Sequence, residues 1–141
     1  MASTSDDLAR IPLFQGLNRR QLNKLAREAR PRQFTAGMPV VREGEMSGVG
    51  FFVIEDGQAS VTIGKKKVSM LGPGDCFGEL ALIAERPRAA TVTAETPLDC
   101  LDISFWALRR FAKANPDVMW SLLQRVVELL DEAESRSRRA R

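Results

Sequence analysis

Histidine is absent from this sequence of 141 residues, and cysteine occurs only at Cys76 and Cys100. Without histidine, neither a Ser-His-Asp nor a Cys-His catalytic group can form. The two distant cysteines also exclude Cys-x-x-Cys and His-containing zinc sites. Chemistry based on carboxylates or lysine alone survives these exclusions. We therefore expect a protein that is not an enzyme and that holds neither a metal nor a cofactor.

Long apolar runs are missing as well. No stretch approaches the ~20 apolar residues of a membrane span, and residues 1–7 lack the basic and apolar regions of a secretory signal. These absences predict a cytoplasmic protein without a membrane span. Reduced thiols fit that compartment, and we expect Cys76 and Cys100 to be small core residues rather than redox groups.

Charge is nearly balanced along the chain, with 21 basic and 18 acidic residues and a formal net charge of +3. The excess lies in the last six residues, which include Arg136, Arg138, Arg139 and Arg141. The length fits one compact domain, which we place at residues 1–135. We expect residues 136–141 to be a solvated, disordered basic tail. Contact with an acidic partner, a lipid head group or nucleic acid is the alternative for the tail.

The periodicity of apolar residues divides the domain into a helical lead at 8–30, a β region at 33–103 and C-terminal helices at 104–135. Asn18 and Gln21 form a candidate capping box that opens the first helix, and Pro31 is expected to end it. In the β region, short runs at 51–54, 59–63 and 90–94 lie between glycine-rich turns. Glu55-Asp56-Gly57 is a candidate tight hairpin. The pattern predicts a mainly β fold, an antiparallel β-roll or jelly-roll barrel with flanking helices.

Two helices are expected after the β region. Ser104 is a candidate N-cap for a short helix to Phe111, and Asn115-Pro116-Asp117 opens a longer helix to about Glu134. The longer helix carries an apolar stripe formed by Val118, Leu122, Val126, Leu129 or Leu130, and Ala133. Packing on the chain's own barrel and homodimerisation through residues 116–134 are the two interpretations of this stripe.

The segment from 71 to 92 carries the clearest chemical signal. A glycine-rich turn precedes a predicted short helix near Glu79, and backbone amides of Gly78, Leu80 and Ala81 at its start can approach an anionic oxygen. Arg88 adds a planar positive charge suited to a phosphate, and the small Ala89 and Ala90 leave their amides open. A carboxylate at Glu79 suits a ribose hydroxyl. Taken singly, Glu79 could merely complement the helix dipole and Arg88 could be a solvated arginine.

Taken together, Phe-Gly-Glu-Leu-Ala-Leu at 77–82 and Pro-Arg-Ala-Ala-Thr-Val at 87–92 resemble the phosphate-binding cassette of the cyclic-nucleotide-binding domain family. This family includes catabolite-activator-type regulators and the regulatory subunits of cAMP-dependent kinases. Five glycines look matched to the family's strand turns: Gly37, Gly44, Gly57, Gly72 and Gly74. The resemblance implies a β-roll whose ligand is a cyclic nucleotide.

Carried over by residue, the resemblance implies that Arg88 pairs with the cyclic phosphate. It also implies that Glu79 accepts a hydrogen bond from the ribose 2′-hydroxyl, with help from the Gly78 amide. The amides of Ala81, Ala89 and Ala90 are implied to make the remaining contacts to the phosphate. Family members that favour cGMP often carry threonine at the position of Ala89, so the alanine implies a preference for cAMP. The resemblance does not identify the residue that would cover the nucleotide base, and Trp120, Leu123 and Arg125 are candidates.

The resemblance leads to three hypotheses about function. The first is a cAMP-preferring sensor that couples ligand occupancy to movement of its C-terminal helix, with an effector partner that the sequence does not identify. The second is a dimerisation or scaffold domain that keeps the β-roll and binds no nucleotide. The third, a nucleotide-degrading enzyme, lacks a metal or general-base cluster in the cassette. Because no helix-turn-helix or other effector segment follows residue 134, we expect no effector domain and no sequence-specific DNA binding.

Overall fold

A computed structural model describes residues 4–45, 50–78 and 87–139. Residues 28–108 form one compact unit, the β unit. Residues 1–27 and 109–141 form a second, the helical unit. None of the described helices is long and apolar enough to cross a membrane.

The described part of the β unit contains eight strands in two four-stranded antiparallel sheets. The strands are β1 (Arg30–Phe34), β2 (Pro39–Val41), β3 (Phe51–Asp56), β4 (Ala59–Ile63), β5 (Lys66–Leu71), β6 (Cys76–Phe77), β7 (Thr91–Ala94) and β8 (Leu98–Ile103). One sheet has the order β1-β8-β3-β6 and the other β2-β7-β4-β5. The predicted mainly antiparallel β fold is confirmed, although the two sheets do not close into a barrel.

The core of the β unit is built from alternate residues of these strands. In β7, Val92 and Ala94 are buried while their neighbours are half-buried, as expected for a strand with one covered face. Phe52 and Phe77 face each other across β3 and β6, and their rings stack with centroids 5.2 Å apart. The cluster also holds Phe34, Ile54, Ala59, Leu98 and Cys100. Cys100 is therefore a core residue as predicted, and burial raises the pKa of its thiol to about 12.

The predicted hairpin at Glu55-Asp56-Gly57 is wrong, because β3 and β4 belong to different sheets. Gly57 has a φ of +97°, and a Cβ there would lie 2.3 Å from the Pro97 carbonyl oxygen. Only glycine suits this crossing between the sheets. The tight hairpin instead joins β4 to β5, where Gly64 and Lys65 lie between the paired residues Ile63 and Lys66.

The start of the β region also differs from the prediction. Strand β1 begins at Arg30, three residues before the predicted Gln33, and includes Pro31. Because β1 is an edge strand of its sheet, the missing amide hydrogen of proline is tolerated.

The helices flank the β region in sequence: α1 (Thr4–Ala9), a 3₁₀ turn at Pro12–Phe14, α2 (Arg19–Ala26), α3 (Phe105–Ala114) and α4 (Pro116–Arg139). Most of α1 lies ahead of the helical lead predicted from residue 8. The buried apolar residues of the helical unit include Leu8, Ile11, Phe14, Leu25 and Val118. These side chains give the unit a core of its own.

Local capping signals are confirmed at two helix starts. The Asn18 side chain accepts from the Gln21 amide at 2.8 Å, and the Gln21 side chain accepts from the Asn18 amide at 2.9 Å. The Ser104 hydroxyl oxygen accepts from the Ala107 amide at 3.1 Å. Helix α3 continues past the predicted end at Phe111. Helix α4 starts at Pro116 as predicted and runs to Arg139, so residues 136–139 are helical rather than a disordered tail.

Candidate functional site

Arg88 is the centre of the candidate site, and it is buried, with 5% of its surface exposed. The alternative of a solvated arginine is therefore wrong. Its guanidinium Nη2 donates to the Gly50 carbonyl oxygen at 2.8 Å, and Nη1 lies 3.4 Å from the Gly78 carbonyl oxygen. The Arg88 side chain thus links the residue before β3 to the residue after β6.

The main chain of Arg88 is held separately from its side chain. Its amide donates to the Glu45 carbonyl oxygen at 3.0 Å, and its carbonyl oxygen accepts from the Gly44 amide at 2.8 Å. These two bonds join Arg88 to the turn that follows β2. The guanidinium is therefore presented from a fixed backbone.

Arg88 is a buried cation whose hydrogen-bond partners among the described residues are neutral. Burial lowers the pKa of Arg88, while the charges of Asp102 and Glu45 oppose this shift. Arginine nevertheless stays protonated in proteins and carries five N–H donors. Among the described residues, the guanidinium hydrogen-bonds with two carbonyl oxygens and no carboxylate. It can therefore donate to an incoming anion, for which hydrogen bonds are stronger than to neutral oxygens.

The other predicted site residues are placed only in part. Gly78 directly follows β6 and has a φ of +91°, and its carbonyl oxygen accepts from Arg88 Nη1. Ala89 is exposed and Ala90 half-buried, directly after Arg88 and before β7. The structure thus brings together Gly78, Arg88, Ala89 and Ala90. Glu79, Leu80 and Ala81, with the predicted short helix, lie outside the described residues.

Asp102 on β8 is a residue of this site that the sequence analysis does not identify. A Cβ at Gly50 would lie 2.5 Å from Asp102 Oδ1, so the carboxylate packs against the residue that accepts from Arg88. Asp102 Oδ2 accepts from Arg32 Nη1 at 3.2 Å. Burial raises the pKa of Asp102, and the positive charges of Arg32, Arg30 and Arg88 oppose this shift. The available signal was a second aspartate within the otherwise apolar strand Leu-Asp-Cys-Leu-Asp-Ile.

The three candidates for a base cap have different surroundings in the helical unit. Trp120 and Leu123 are exposed on α4. The Arg125 guanidinium donates to the Pro12 carbonyl oxygen at 2.6 Å, to Gln15 Oε1 at 3.1 Å and to Glu128 Oε2 at 2.7 Å. Arg125 therefore ties α4 to the 3₁₀ turn and has partners already.

Comparison with known proteins adds to this geometry. Residues 31–115 match the family model for the cyclic nucleotide-binding domain, 85 of the 141 residues. Over 96 residues the chain is 38% identical to a cGMP-dependent protein kinase of Toxoplasma gondii, a match that covers 68% of this chain and 10% of the kinase. The chain thus spans about a tenth of that relative.

Two solved structures are similar over most of the chain. The N-terminal domain of a transcriptional regulator from Streptomyces coelicolor A3(2) has a TM-score of 0.85 and 27% identity, covering 92% of this chain and 96% of that one. The regulatory domain of Toxoplasma gondii PKA, solved with cAMP, has a TM-score of 0.74 and 30% identity, covering 92% and 49%. The resemblance found in the cassette is confirmed, and the chain belongs to the cyclic nucleotide-binding domain family.

Proposed function

We propose that the chain is a cAMP-preferring sensor in which Arg88 binds the cyclic phosphate. The observation that carries the proposal is a buried guanidinium that donates to the neutral carbonyl oxygens of Gly50 and Gly78. A cyclic phosphate offers two anionic oxygens with the spacing of a bidentate acceptor. Exchanging a carbonyl partner for a phosphate oxygen strengthens the hydrogen bonds, and the low local dielectric favours the ion pair.

The other ligand contacts are assigned from the sequence of the phosphate-binding cassette. We assign the ribose 2′-hydroxyl to Glu79 and the Gly78 amide, and further phosphate contacts to the amides of Ala81, Ala89 and Ala90. The positions of Gly78, Ala89 and Ala90 around Arg88 support this assignment. The same contacts account for binding without bond cleavage, so cAMP incubated with the protein should be recovered unchanged by chromatography.

The preference for cAMP depends on Ala89, which is exposed beside Arg88 and has no hydroxyl group. Relatives of both kinds exist, since the solved PKA regulatory domain holds cAMP and the similar kinase is named for cGMP. Ala89→Thr should add a hydrogen-bonding group for guanine and raise the affinity for cGMP relative to cAMP. Calorimetric titration of both nucleotides into the parent and the variant measures this ratio.

We further propose that residues 1–135 act as one domain and that occupancy of the site moves α4. A ligand can shift a helix only if it binds one helix position more tightly than another. Support comes from apolar side chains that are exposed on α4, among them Trp120, Leu123, Val127 and Leu130. The same exposed face supports homodimerisation through 116–134. It also favours the second candidate function, a scaffold domain that binds no nucleotide.

Calorimetry with the parent, Arg88→Leu and the control Arg27→Leu tests the proposal. Arg27 is an exposed arginine of the helical unit, so its removal lowers the net charge without touching the site. We expect Arg88→Leu to weaken cAMP binding at least about 100-fold and Arg27→Leu to bind like the parent.

Thermal unfolding of each variant shows whether the fold is kept, and Arg88→Gln, which retains donors, is the second variant if Arg88→Leu unfolds. A ligand at about 100 times its dissociation constant should stabilise the parent by about 2.7 kcal/mol. Binding by Arg88→Leu as tight as by the parent would overturn the site assignment. A parent that binds neither cAMP nor cGMP would overturn the sensor proposal and leave the scaffold alternative.

A further inference from the structure

Asp102 has a buried carboxylate oxygen in an energetically unfavourable position, and phosphate binding by Arg88 alone does not account for it. Its Oδ1 atom is buried and has no hydrogen-bond partner among the described residues. A buried oxygen of a charged group without a partner is costly, and most natural sites avoid it. The carboxylate nevertheless lies behind Gly50, whose carbonyl oxygen accepts from Arg88 at 2.8 Å.

The charge of Asp102 acts on Arg88 across Gly50. Asp102 and Glu45 both favour the protonated guanidinium, and Asp102 is the stronger of the two. A bound cyclic phosphate would bring another negative charge to the same cation. Two anions that share one cation repel each other, and the repulsion is poorly screened in a buried site.

We propose that Asp102 is an internal counter-anion that sets the affinity of the site by competing with the cyclic phosphate for the charge of Arg88. The inference rests on the proposed function, in which Arg88 is the phosphate ligand. Asp102 is expected to lower the affinity for cAMP and cGMP alike, because its charge acts on Arg88, which is assigned to the phosphate that both nucleotides share. It keeps Arg88 compensated when no ligand is bound.

Arg32 adjusts the strength of this competition. It lies on β1, donates to Asp102 Oδ2 at 3.2 Å, and its guanidinium also stacks 5.2 Å from the centroid of the Phe34 ring. Part of the Asp102 charge is thereby neutralised at Oδ2, whereas Oδ1 is the oxygen that packs against Gly50. Removal of Arg32 should leave more of that charge to act on Arg88, and the affinity for a cyclic phosphate should fall.

Calorimetric titration with cAMP tests the inference on Asp102→Asn, with Asp99→Asn as the matched control. Both changes remove one negative charge from β8, but Asp99 is not among the charges that act on Arg88. We expect Asp102→Asn to bind cAMP about five- to tenfold more tightly than the parent, and Asp99→Asn to bind like the parent. Equal tightening in both variants would overturn the inference, as would weaker binding by Asp102→Asn.

Two further measurements keep the inference falsifiable if Asp102→Asn does not fold. Arg32→Gln should weaken cAMP binding by the parent, because more of the Asp102 charge then acts on Arg88. cAMP binding by the parent should tighten as the pH falls and Asp102, whose pKa burial raises, gains a proton, in a setting that includes Arg30, Arg32, Arg88 and Glu45. An Arg32→Gln variant that binds like the parent, or pH-independent binding by the parent, contradicts the inference.

Failure of the inference and failure of the proposed function give different results. If the parent does not bind cAMP, or if Arg88→Leu binds like the parent, the proposed function fails. If the parent binds, Arg88→Leu does not, and Asp102→Asn matches Asp99→Asn, only the role of Asp102 is wrong.

Discussion

Arg88 in the β unit and Arg125 in the helical unit are both largely buried, but their partners differ. Arg125 donates to a carbonyl oxygen and an amide oxygen and also pairs with the Glu128 carboxylate. Arg88 hydrogen-bonds with two carbonyl oxygens and, among the described residues, with no carboxylate. An arginine that is hydrogen-bonded to a carboxylate stabilises the fold. An arginine whose hydrogen-bond acceptors are neutral oxygens can still bind an anionic ligand.

The largest effect that tests this difference between the two arginines is expected from Arg88→Lys. Lysine keeps the charge but loses the planar fork that two phosphate oxygens require. We expect cAMP binding to weaken about thirtyfold, or about 2 kcal/mol, in calorimetric titrations. Arg27→Lys is the matched control and should bind like the parent. Undiminished binding by Arg88→Lys would show that charge alone, and not the fork, matters at this position.

The opposite pattern is expected at Arg125. Arg125→Ala removes the bonds between α4 and the 3₁₀ turn, and we expect the free energy of unfolding to fall by about 1–2 kcal/mol in urea titrations. Arg19→Ala, which removes an exposed pair with Asp6, should cost less than about 0.5 kcal/mol. If Arg125→Ala is as stable as Arg19→Ala, the structural role assigned to Arg125 is wrong.

A smaller effect is expected at the capping box of α2. Asn18→Ala leaves the Gln21 amide without its acceptor and should cost about 1 kcal/mol of unfolding free energy. Asn18→Asp keeps an acceptor at the same place and should retain the stability of the parent. Equal losses in both variants would mean that the cap acts through something other than this hydrogen bond.

The smallest effect is expected from the titration of Asp102. Burial raises its pKa in the folded state, so the folded protein binds this proton more tightly than the unfolded chain. The resulting stabilisation is complete below the unfolded pKa, about 3.9, and is lost as the pH rises through the higher folded pKa. The stability of the parent relative to Asp102→Asn should therefore fall as the pH is raised from about 4 in urea titrations. A constant or rising difference would contradict this sign.

Features set by neighbouring residues could be predicted from the sequence. The capping box at Asn18, the cap at Ser104 and the bounds of β4 follow from interactions within a few residues. The hairpin at Glu55-Asp56-Gly57 could not be predicted correctly, because both a hairpin and a crossing between sheets use the same turn residues. Which of the two forms depends on pairing with strands far along the chain.

The candidate site shows the same division. Arg88 is recognisable because the cassette is contiguous, but its burial and its carbonyl partners require Gly50 and Gly78 to be brought beside it. Asp102 lies opposite Phe52 in the register of β3 and β8, and this register places it behind Gly50. No spacing in the sequence indicates that contact.

The separate anchoring of the Arg88 main chain and side chain has a consequence for kinetics. Gly44 and Glu45 hold the backbone, while among the described residues the guanidinium hydrogen-bonds with two carbonyl oxygens. A ligand can thus capture the guanidinium through rotamer changes, without breaking any bond of a sheet. Such a change moves one side chain, whereas collective motions of whole elements take microseconds to milliseconds. With Arg88 as the proposed phosphate ligand, we expect the first response of the domain to be a local exchange of acceptors, before any movement of the elements that follow Arg88.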